Sequence, residues 1–478
     1  MNLFGTDGIR GIANAGLSWR TAFRLGRAIG THLSPGRDLC AGKDTRASGD
    51  MLEAAIAAGI TSTGRNVVKL GVITTPGLSF LVRDLGLGGG VMISASHNPS
   101  EYNGLKVFGP DGKKIPDETE ILFSEFIQGE GDGGPFPTGR GIGRVAPGEA
   151  AVDRYVGFLC KVPRNDLSRL AVALDTANGS TSDIAVRVWK KLAGRVEAIN
   201  NAPDGHNIND RCGSTHPWAL AEKVASARAG KAAAGEGVAS GARAACGAVA
   251  GGAADSAGSY DAGFSYDGDG DRCIAADENG EILDGDHIMA ILALDMAEKG
   301  KLAGKTVVGT VMSNFGLEFC LKARNISLER TRVGDRYVLE KMEGSGFKLG
   351  GEQSGHIIAG DILWAGDGIL TSLLVADVMA GTGRRLSELG SVMTSIPQHL
   401  VNVRARDPKG LVKREAVVKA VEKAQSDLGT SGRVLVRPSG TEPLVRIMVE
   451  SLDSSVVESC IQYLEEVIRR ENEAPQKV

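Results

Sequence analysis

Leu87-Gly88-Gly89-Gly90-Val91-Met92-Ile93 runs directly into Ser94-Ala95-Ser96-His97-Asn98-Pro99, and the join between these two stretches sets the reading of the whole chain. An apolar run broken by glycine, then stopped by small polar residues and a proline, reads as a buried strand ending in a turn. Turns at strand ends are where reacting side chains are usually displayed. Ser96 is the side chain displayed there. A serine in such a place serves as a turn former as well as a nucleophile, so the surrounding sequence has to decide between the two.

Outward from this strand the pattern alternates. The opening Phe4-Gly5-Thr6-Asp7-Gly8-Ile9-Arg10-Gly11 is too glycine-rich for a helix and places Arg10 on a loop. Ser18 reads as the N-cap of a helix whose apolar face is Trp19, Ala22, Phe23, Ile29 and Leu33. Leu39-Cys40-Ala41-Gly42 reads as a short strand followed by the loop Lys43-Asp44-Thr45-Arg46, Met51 to Ile60 as a helix, and Val67 to Ile73 as a strand. Strands alternating with helices imply βαβ units and a mostly parallel sheet. The unit recurs at Leu170 to Leu174, followed by the loop Asp175-Thr176-Ala177-Asn178-Gly179, and at Thr306 to Val311, followed by a helix from Phe315. The last stretch differs. Strands near Leu400 to Val403, Val434 to Val436 and Leu444 to Glu450, with helices over Arg414 to Leu428 and from Ser454, describe a separate α+β domain.

Size and composition bound the function. A chain of 478 residues has room for three or four domains of usual size, and its 66 glycines fit many tight turns between short α/β units. A net charge of −4 gives no sign of nucleic acid or an anionic membrane as partner. No apolar run approaches a membrane span, and the N-terminus lacks the basic-then-apolar layout of a secretion signal. Seven dispersed cysteines without a Cys-x-x-Cys pair fit reduced thiols in a cytoplasmic protein. From Ala225 to Ser259 the chain is almost all alanine, glycine and serine, and reads as a mobile surface insertion.

Four further stretches carry chemistry. In Tyr266-Asp267-Gly268-Asp269-Gly270-Asp271-Arg272, three alternate aspartates can turn their carboxylates toward one point, which suits an oxygen-seeking Mg²⁺. Arg272 offers a donor to an anion held there. A calcium loop matches several positions counted from Asp267, but the sixth, which needs glycine, holds Arg272. A solvated acidic turn is the blander alternative. In Gly350-Gly351-Glu352-Gln353-Ser354-Gly355-His356, an extended loop would turn Glu352 and Ser354 the same way, ready to grip two sugar hydroxyls. His356 has the ordinary range for moving a proton near neutrality. Arg437-Pro438-Ser439-Gly440-Thr441-Glu442-Pro443, with Arg446, can cradle a phosphate dianion or be a polar hairpin loop. In Asn103-Gly104-Leu105-Lys106, Lys106 can hold a transferring phosphate, or carry a proton if its pKa is lowered. Gly304-Lys305-Thr306 imitates the end of a P-loop, but the earlier glycine position holds Lys299, and no Gly-x-Ser-x-Gly elbow is present.

Taken together, and in this order, the serine loop, metal loop, sugar loop and phosphate loop resemble the α-D-phosphohexomutase family over nearly the whole chain apart from the alanine/glycine insertion. The resemblance implies a heart-shaped arrangement of three related α/β domains with mixed sheets and a C-terminal α+β domain. These would be residues 1–150 with the serine loop, 151–282 with the metal loop and the 225–259 insertion, 283–396 with the sugar loop, and 397–478 with the phosphate loop.

Within the family, Phe4 to Gly11, Gly351 to His356, Arg437 to Pro443 and Asn207-Ile208-Asn209-Asp210-Arg211-Cys212-Gly213-Ser214 resemble the bacterial phosphoglucosamine mutases. The phosphomannomutases and phosphoglucomutases are the nearest alternative, and a sugar-phosphate-binding protein without catalysis is one of another class. The implied reaction is glucosamine 6-phosphate to glucosamine 1-phosphate, a step toward peptidoglycan precursors, on a small sugar phosphate by a monomer or homodimer. The resemblance implies that Ser96 is carried as a phosphoserine and shares one Mg²⁺ with Asp267, Asp269 and Asp271, with a hexosamine 1,6-bisphosphate as activator and intermediate. It implies that Arg10, Lys106 and Arg272 surround the phosphoserine, that His356 is an acid/base candidate and that Glu352 and Ser354 hold the ring. It also implies that Arg437, Ser439, Gly440, Thr441 and Arg446 hold the substrate's phosphate. The chain departs from the family pattern in the insertion and in Leu363-Trp364-Ala365-Gly366-Asp367-Gly368, which lacks threonines before Gly-Asp-Gly.

Overall fold

The structure is a computed structural model, and it describes residues 3–5, 7–129, 136–235, 258–429, 431–439 and 443–473. It divides into two compact units, Met1–Val311 with Leu328–Val392, and Met312–Ser327 with Met393–Val478.

The first sheet holds β1 (Ile9–Ile12), β2 (Leu39–Lys43), β3 (Val67–Val72), β4 (Gly90–Ile93), β5 (Tyr102–Phe108) and β6 (Val145–Pro147), in the order β1-β5-β4-β2-β3-β6. β4 is buried along its whole length and sits between β5, which runs antiparallel to it, and β2, which runs parallel. That double burial explains its unbroken apolar sequence. The register pairs Met92 with Lys106, and Gly104 with Arg10 on β1. Cross-strand partners and alternate residues share a face, so Arg10 and Lys106 project from one side of the strands next to Ser96. Arg10 therefore lies on a strand and not on a loop. Gly8, ahead of it, has φ +84° and lies so close to β5 that a Cβ would fall 2.4 Å from Leu105 O, while Gly104 leaves open the space that a Cβ would fill against Ser94 O.

The second sheet contains β7 (Ala171–Asp175), β8 (Arg195–Ile199), β9 (Ala262–Tyr266), β10 (Cys273–Asp277) and β11 (Ile282–Leu283), in the order β11-β10-β9-β7-β8. β9 and β10 pair antiparallel with Tyr266 opposite Cys273, so the three aspartates occupy the hairpin tip. The third sheet, β12 (Thr306–Thr310), β13 (Ser327–Thr331), β14 (Leu349–Gly351) and β15 (Ile357–Ala359), has the order β13-β12-β14-β15. Its β14–β15 hairpin presents Glu352 to His356 at the tip. In the second unit β16 (Gln398–Arg404), β17 (Gly432–Pro438) and β18 (Leu444–Ser451) form an antiparallel sheet in the order β16-β18-β17.

Three expectations change. The helix Trp19–His32 is capped by Ser18, whose side chain accepts from the Thr21 N–H, and buries Ala22 and Ile29, but Trp19 is exposed. Arg10, expected on a loop, lies on β1, and Lys106 lies on the neighbouring β5. The stretch expected to be an irregular insertion from Ala225 begins as the end of a helix, Trp218–Gly235, because alanine is the strongest helix former. Residues 236–257 of that insertion lie outside the described residues. No helix among the described residues is long and apolar enough to cross a membrane.

The helices Trp19–His32 and Ser48–Thr61 pack backbone to backbone. A Cβ on Gly59 would lie 2.2 Å from Phe23 O, and one on Gly26 would lie 2.4 Å from Ile56 O. By contrast, Gly157 in the helix Val152–Leu159 has open space around it. Gly59→Ala should destabilise the fold by about 1–3 kcal/mol through overpacking, whereas Gly157→Ala should be neutral or slightly stabilising. Thermal unfolding of the two variants followed by circular dichroism checks this, and equal midpoints would contradict the close approach.

Candidate active site

Ser96 sits just beyond β4 with φ +53°, in the left-handed region that non-glycine residues rarely occupy. The conformation is held from several sides. Its N–H donates to Ser94 Oγ at 2.9 Å, and its carbonyl accepts from Arg46 at 3.0 Å and from Asn209 Nδ2 at 2.9 Å. Arg46 is fully buried; it also donates to the carbonyls of Asn98, Tyr102 and Pro99 and pairs with Asp44 at 2.9 Å. Ser94 Oγ donates to Asp44 in turn, at 2.6 Å. One guanidinium thus wires the whole serine turn to the end of β2.

The Ser96 hydroxyl donates to Asp267 Oδ2 at 2.7 Å and lies 3.2 Å from His97 Nδ1. The serine and metal loops meet this closely because of two glycines. A Cβ on Gly268 would fall 2.7 Å from Ser96 O, and one on Gly179 would fall 2.5 Å from Gly268 O. Behind the aspartates, the Ser180 N–H and Oγ both donate to Gly268 O, and the Gly368 N–H donates to Gly270 O at 3.0 Å. Asp367 needs no flanking threonines for this: it caps the helix Gly368–Thr382 and accepts from the Tyr155 hydroxyl at 2.6 Å.

Asp267, Asp269 and Asp271 are buried, with one carboxylate oxygen from each lying within 4.8 Å of the others. Asp269 Oδ2 accepts from Lys106 Nζ at 2.8 Å and from Thr75 Oγ1 at 2.6 Å. Burial and the charges of Asp271 and Asp269 push the Asp267 carboxyl well above the ordinary range. Asp271 goes the other way: against the effect of burial, His356, Lys106 and Arg272 hold it far below the usual carboxylate value. Asp269 Oδ1 and Asp271 Oδ1 are buried without a hydrogen-bond partner among the described residues. An all-oxygen set with orphaned buried acceptors fits Mg²⁺. A calcium loop with an entering helix does not fit, since β9 enters instead.

Positive groups ring this cluster. Lys106 Nζ lies 2.8 Å from both Asp269 and Asp7 and 3.9 Å from Asp271. These carboxylates raise its pKa against the effect of burial, so the lowered lysine expected of a proton carrier is not found. Arg10 pairs with Asp7 and donates to Asn98 Oδ1 at 3.2 Å. Arg272 Nε is 3.8 Å from Asp271 Oδ1. His97 is lowered to about 4 by burial and by Arg272 and Arg10.

The sugar loop joins the same cleft. It is a tight turn and not the extended segment expected, because the Gly355 N–H donates to Glu352 O at 3.0 Å. Glu352 Oε1 accepts from the Gly334 N–H at 3.0 Å, while Ser354 is exposed. The Cys273 N–H donates to Gly355 O, tying this turn to β10 behind the aspartates. His356 Nδ1 is 3.6 Å from Asp271 and its Nε2 is 3.9 Å from Asp335. Against the effect of burial, Asp271, Asp335 and Glu352 raise it to about 9, so it is a cation at neutral pH and not a group poised near 7.

Ser96, Arg10, Lys106, Arg272, His356, Glu352 and the three aspartates are therefore gathered in one unit. In the other unit, Arg437 on β17 faces Arg446 on β18 across the ladder, and Ser439 follows β17. Burial and Arg446 lower the Arg437 pKa. Gly440 and Thr441 lie outside the described residues. Sequence reasoning assigned no role to Asp7, Arg46, Thr75, His97, Lys114, Asn209 or Asp335. Asp7 and Asn209 stand inside quoted motifs, and Arg46 in a quoted loop. Nothing local marked Lys114 or Asp335.

Known proteins resemble the chain over nearly its whole length. Family models match at residues 1–130 (phosphoglucomutase/phosphomannomutase, alpha/beta/alpha domain I), 284–396 (domain III) and 400–467 (C-terminal domain). The chain is 46% identical to a phosphoglucosamine mutase of Moorella thermoacetica over 97% of this chain and 98% of that one. With that of Pelotomaculum thermopropionicum it shares 45% identity over 98% and 99% of the two chains. Among solved structures, a phosphoglucomutase/phosphomannomutase family protein from Burkholderia thailandensis superposes with a TM-score of 0.76 at 21% identity, over 99% and 98% of the chains. An N-acetylphosphoglucosamine mutase from Aspergillus fumigatus, solved with GlcNAc-6P and magnesium, gives 0.65 at 17% identity, over 98% and 96%. These two share the fold. With three family models matched and identity above 40% along nearly its whole length, the chain belongs to the α-D-phosphohexomutase family.

Proposed function

We propose that the chain is a phosphoglucosamine mutase, interconverting glucosamine 6-phosphate and glucosamine 1-phosphate by way of a phosphoserine at Ser96 and a hexosamine 1,6-bisphosphate. The observation that carries this reading is the buried Ser96 hydroxyl, 2.7 Å from Asp267 of an acidic cluster that Lys106 and Arg272 answer, with Arg10 held on Asn98 of the serine loop. The curated relatives bearing that activity's name support the choice of sugar. Free thiols at every described cysteine support a cytoplasmic setting.

In this reading Ser96, Asp267, Asp269 and Asp271 hold one Mg²⁺, whose contribution when bound is to neutralise charge on the transferring phosphoryl group. Arg10 and Arg272 flank the Ser96 oxygen and hold the phosphoryl oxygens. Arg437, Ser439, Gly440, Thr441 and Arg446 hold the phosphate already on the sugar, while Glu352 and Ser354 hold its hydroxyls. A sugar hydroxyl attacks phosphorus, the bond from phosphorus to Ser96 Oγ breaks, and the proton given up by the attacking hydroxyl is matched by the one that Ser96 Oγ takes up as it leaves. The bisphosphate then turns around, and Ser96 takes back the other phosphoryl group. Lys106 is engaged by carboxylates on several sides. His356, a cation at neutral pH, is then the acid/base candidate that would give a proton to a sugar oxygen and take it back.

Turnover of glucosamine 6-phosphate with Mg²⁺ and a bisphosphate activator tests this directly, alongside glucose and mannose 6-phosphates. We expect kcat/KM for the hexosamine phosphate to exceed that for the hexose phosphates by at least about tenfold, since a site arranged for the sugar's amino group loses a charge-assisted hydrogen bond when a hydroxyl stands there. A preference for a hexose phosphate would move the assignment to a phosphomannomutase or phosphoglucomutase. In the second prediction, intact-mass analysis finds one phosphoryl group on the wild type and none on Ser96→Ala, which loses turnover by at least about 10³-fold. A wild type that neither carries phosphate nor turns over would identify a sugar-phosphate-binding protein.

A further inference from the structure

A lysine outside all four family loops joins the two halves of the cleft. Lys114 follows β5, bridged to Phe108, just ahead of the helix Asp117–Gln128. Its Nζ lies 2.5 Å from Asp7 Oδ1 and 2.6 Å from Asp335 Oδ2. Each of those carboxylates belongs to a different side of the cleft. Asp7 Oδ2 is 2.8 Å from Lys106 Nζ and accepts from Arg10, which places it on the serine side. Asp335 faces His356 Nε2, and its neighbour Gly334 gives its N–H to Glu352 Oε1 at 3.0 Å, which places it on the sugar side. One ammonium group is therefore a single contact away from the carboxylates that organise Arg10, Lys106, His356 and, through Gly334, Glu352.

The electrostatics make that lysine more than a surface ion pair. Lys114, Asp7 and Asp335 keep only 22%, 21% and 23% of their side-chain surfaces. Asp7 and Asp335 are both held below the ordinary carboxylate range, with Lys114 among the causes for each, and Asp7 opposes the ionisation of Asp335. Without the cation, two carboxylates would face each other across the seam and push the halves apart. Among the described residues, Lys113 with Glu343 and Arg336 with Asp117 also span this seam but are more exposed, where ion pairs are worth little, and Arg336 reaches the better-buried Glu120 only at 3.9 Å.

We propose that Lys114 is a positioning residue: it fixes the spacing between the phosphoryl-transferring side of the cleft and the side that grips the sugar. This rests on the mutase reading. A small misplacement of reacting groups costs up to about 100-fold in rate, so Lys114→Met should lower kcat/KM for glucosamine 6-phosphate by about 10- to 100-fold while the thermal unfolding midpoint stays near that of the wild type. Lys114→Arg, which still reaches both carboxylates, should recover most of the loss. Lys114→Met combined with Asp335→Asn should be no worse than Lys114→Met alone, because both remove the same link.

A second readout needs no turnover. Amide hydrogen exchange in Lys114→Met should quicken together in residues 7–12 and 352–356. Wild-type kinetics in Lys114→Met, failure of arginine to rescue, multiplying losses in the double variant, or unchanged exchange in both segments would each overturn the proposal. Faster exchange in a chain whose wild type shows no turnover would remove the mutase reading and leave the coupling standing.

Discussion

The constraint on which the rest of the structure depends is the burial of three like charges beside one hydroxyl. Asp267, Asp269 and Asp271 are taken from water at a hairpin tip and left close enough to oppose one another's ionisation. Buried charges persist only where opposite charge and hydrogen bonds answer them. Lys106, Arg272 and His356 supply part of that answer, and two orphaned carboxylate oxygens remain for a divalent cation. From this need for compensation follow the reach of β5 toward the metal loop and the seating of the sugar-loop histidine beside Asp271.

Bringing backbones this close requires absent side chains. Gly268 and Gly179 allow the metal loop to lie against the serine turn and against its own support. The left-handed backbone at Ser96 persists because Arg46 and Asn209 grip its carbonyl and Ser94 accepts from its N–H. Strain of this kind is kept only where the surroundings over-determine it. The site is thus rigid at the nucleophile, while its sugar loop is a short hairpin braced by β10.

Much of this was legible in the sequence because the chemistry is local there. Asp267, Asp269 and Asp271 alternate with glycine, so their spacing marks them, whereas Ser96 ends an apolar strand and is singled out only by the company of the other loops. Glu352 and His356 stand out for the same reason, although the charge on His356 depends on Asp271 and Asp335 from elsewhere in the chain. Arg10 was misplaced on a loop because a four-residue strand rich in glycine carries no periodic signal. For Lys106 the sequence leaves a phosphate contact and a proton carrier both open, because its carboxylate partners, Asp7 and Asp269, come from distant segments. Arg46, Lys114 and Asp335 act only through the tertiary fold, and nothing in their neighbours could have announced them. The alanine-rich stretch after Ala225 was read as irregular on composition, when alanine's own propensity extends the preceding helix through residue 235.

The central claim is that the aspartate trio and a phosphorylated Ser96 balance one another through a shared divalent cation. Titrating Mn²⁺ into the phosphorylated and dephosphorylated forms of the protein, with binding followed by calorimetry, tests it most directly. The account predicts binding at least about tenfold tighter to the phosphorylated form, since phosphate oxygens add charge-bearing ligands to the site, and loss of that difference in Asp267→Asn. Equal affinity for the two forms, or a difference that survives in Asp267→Asn, would contradict it.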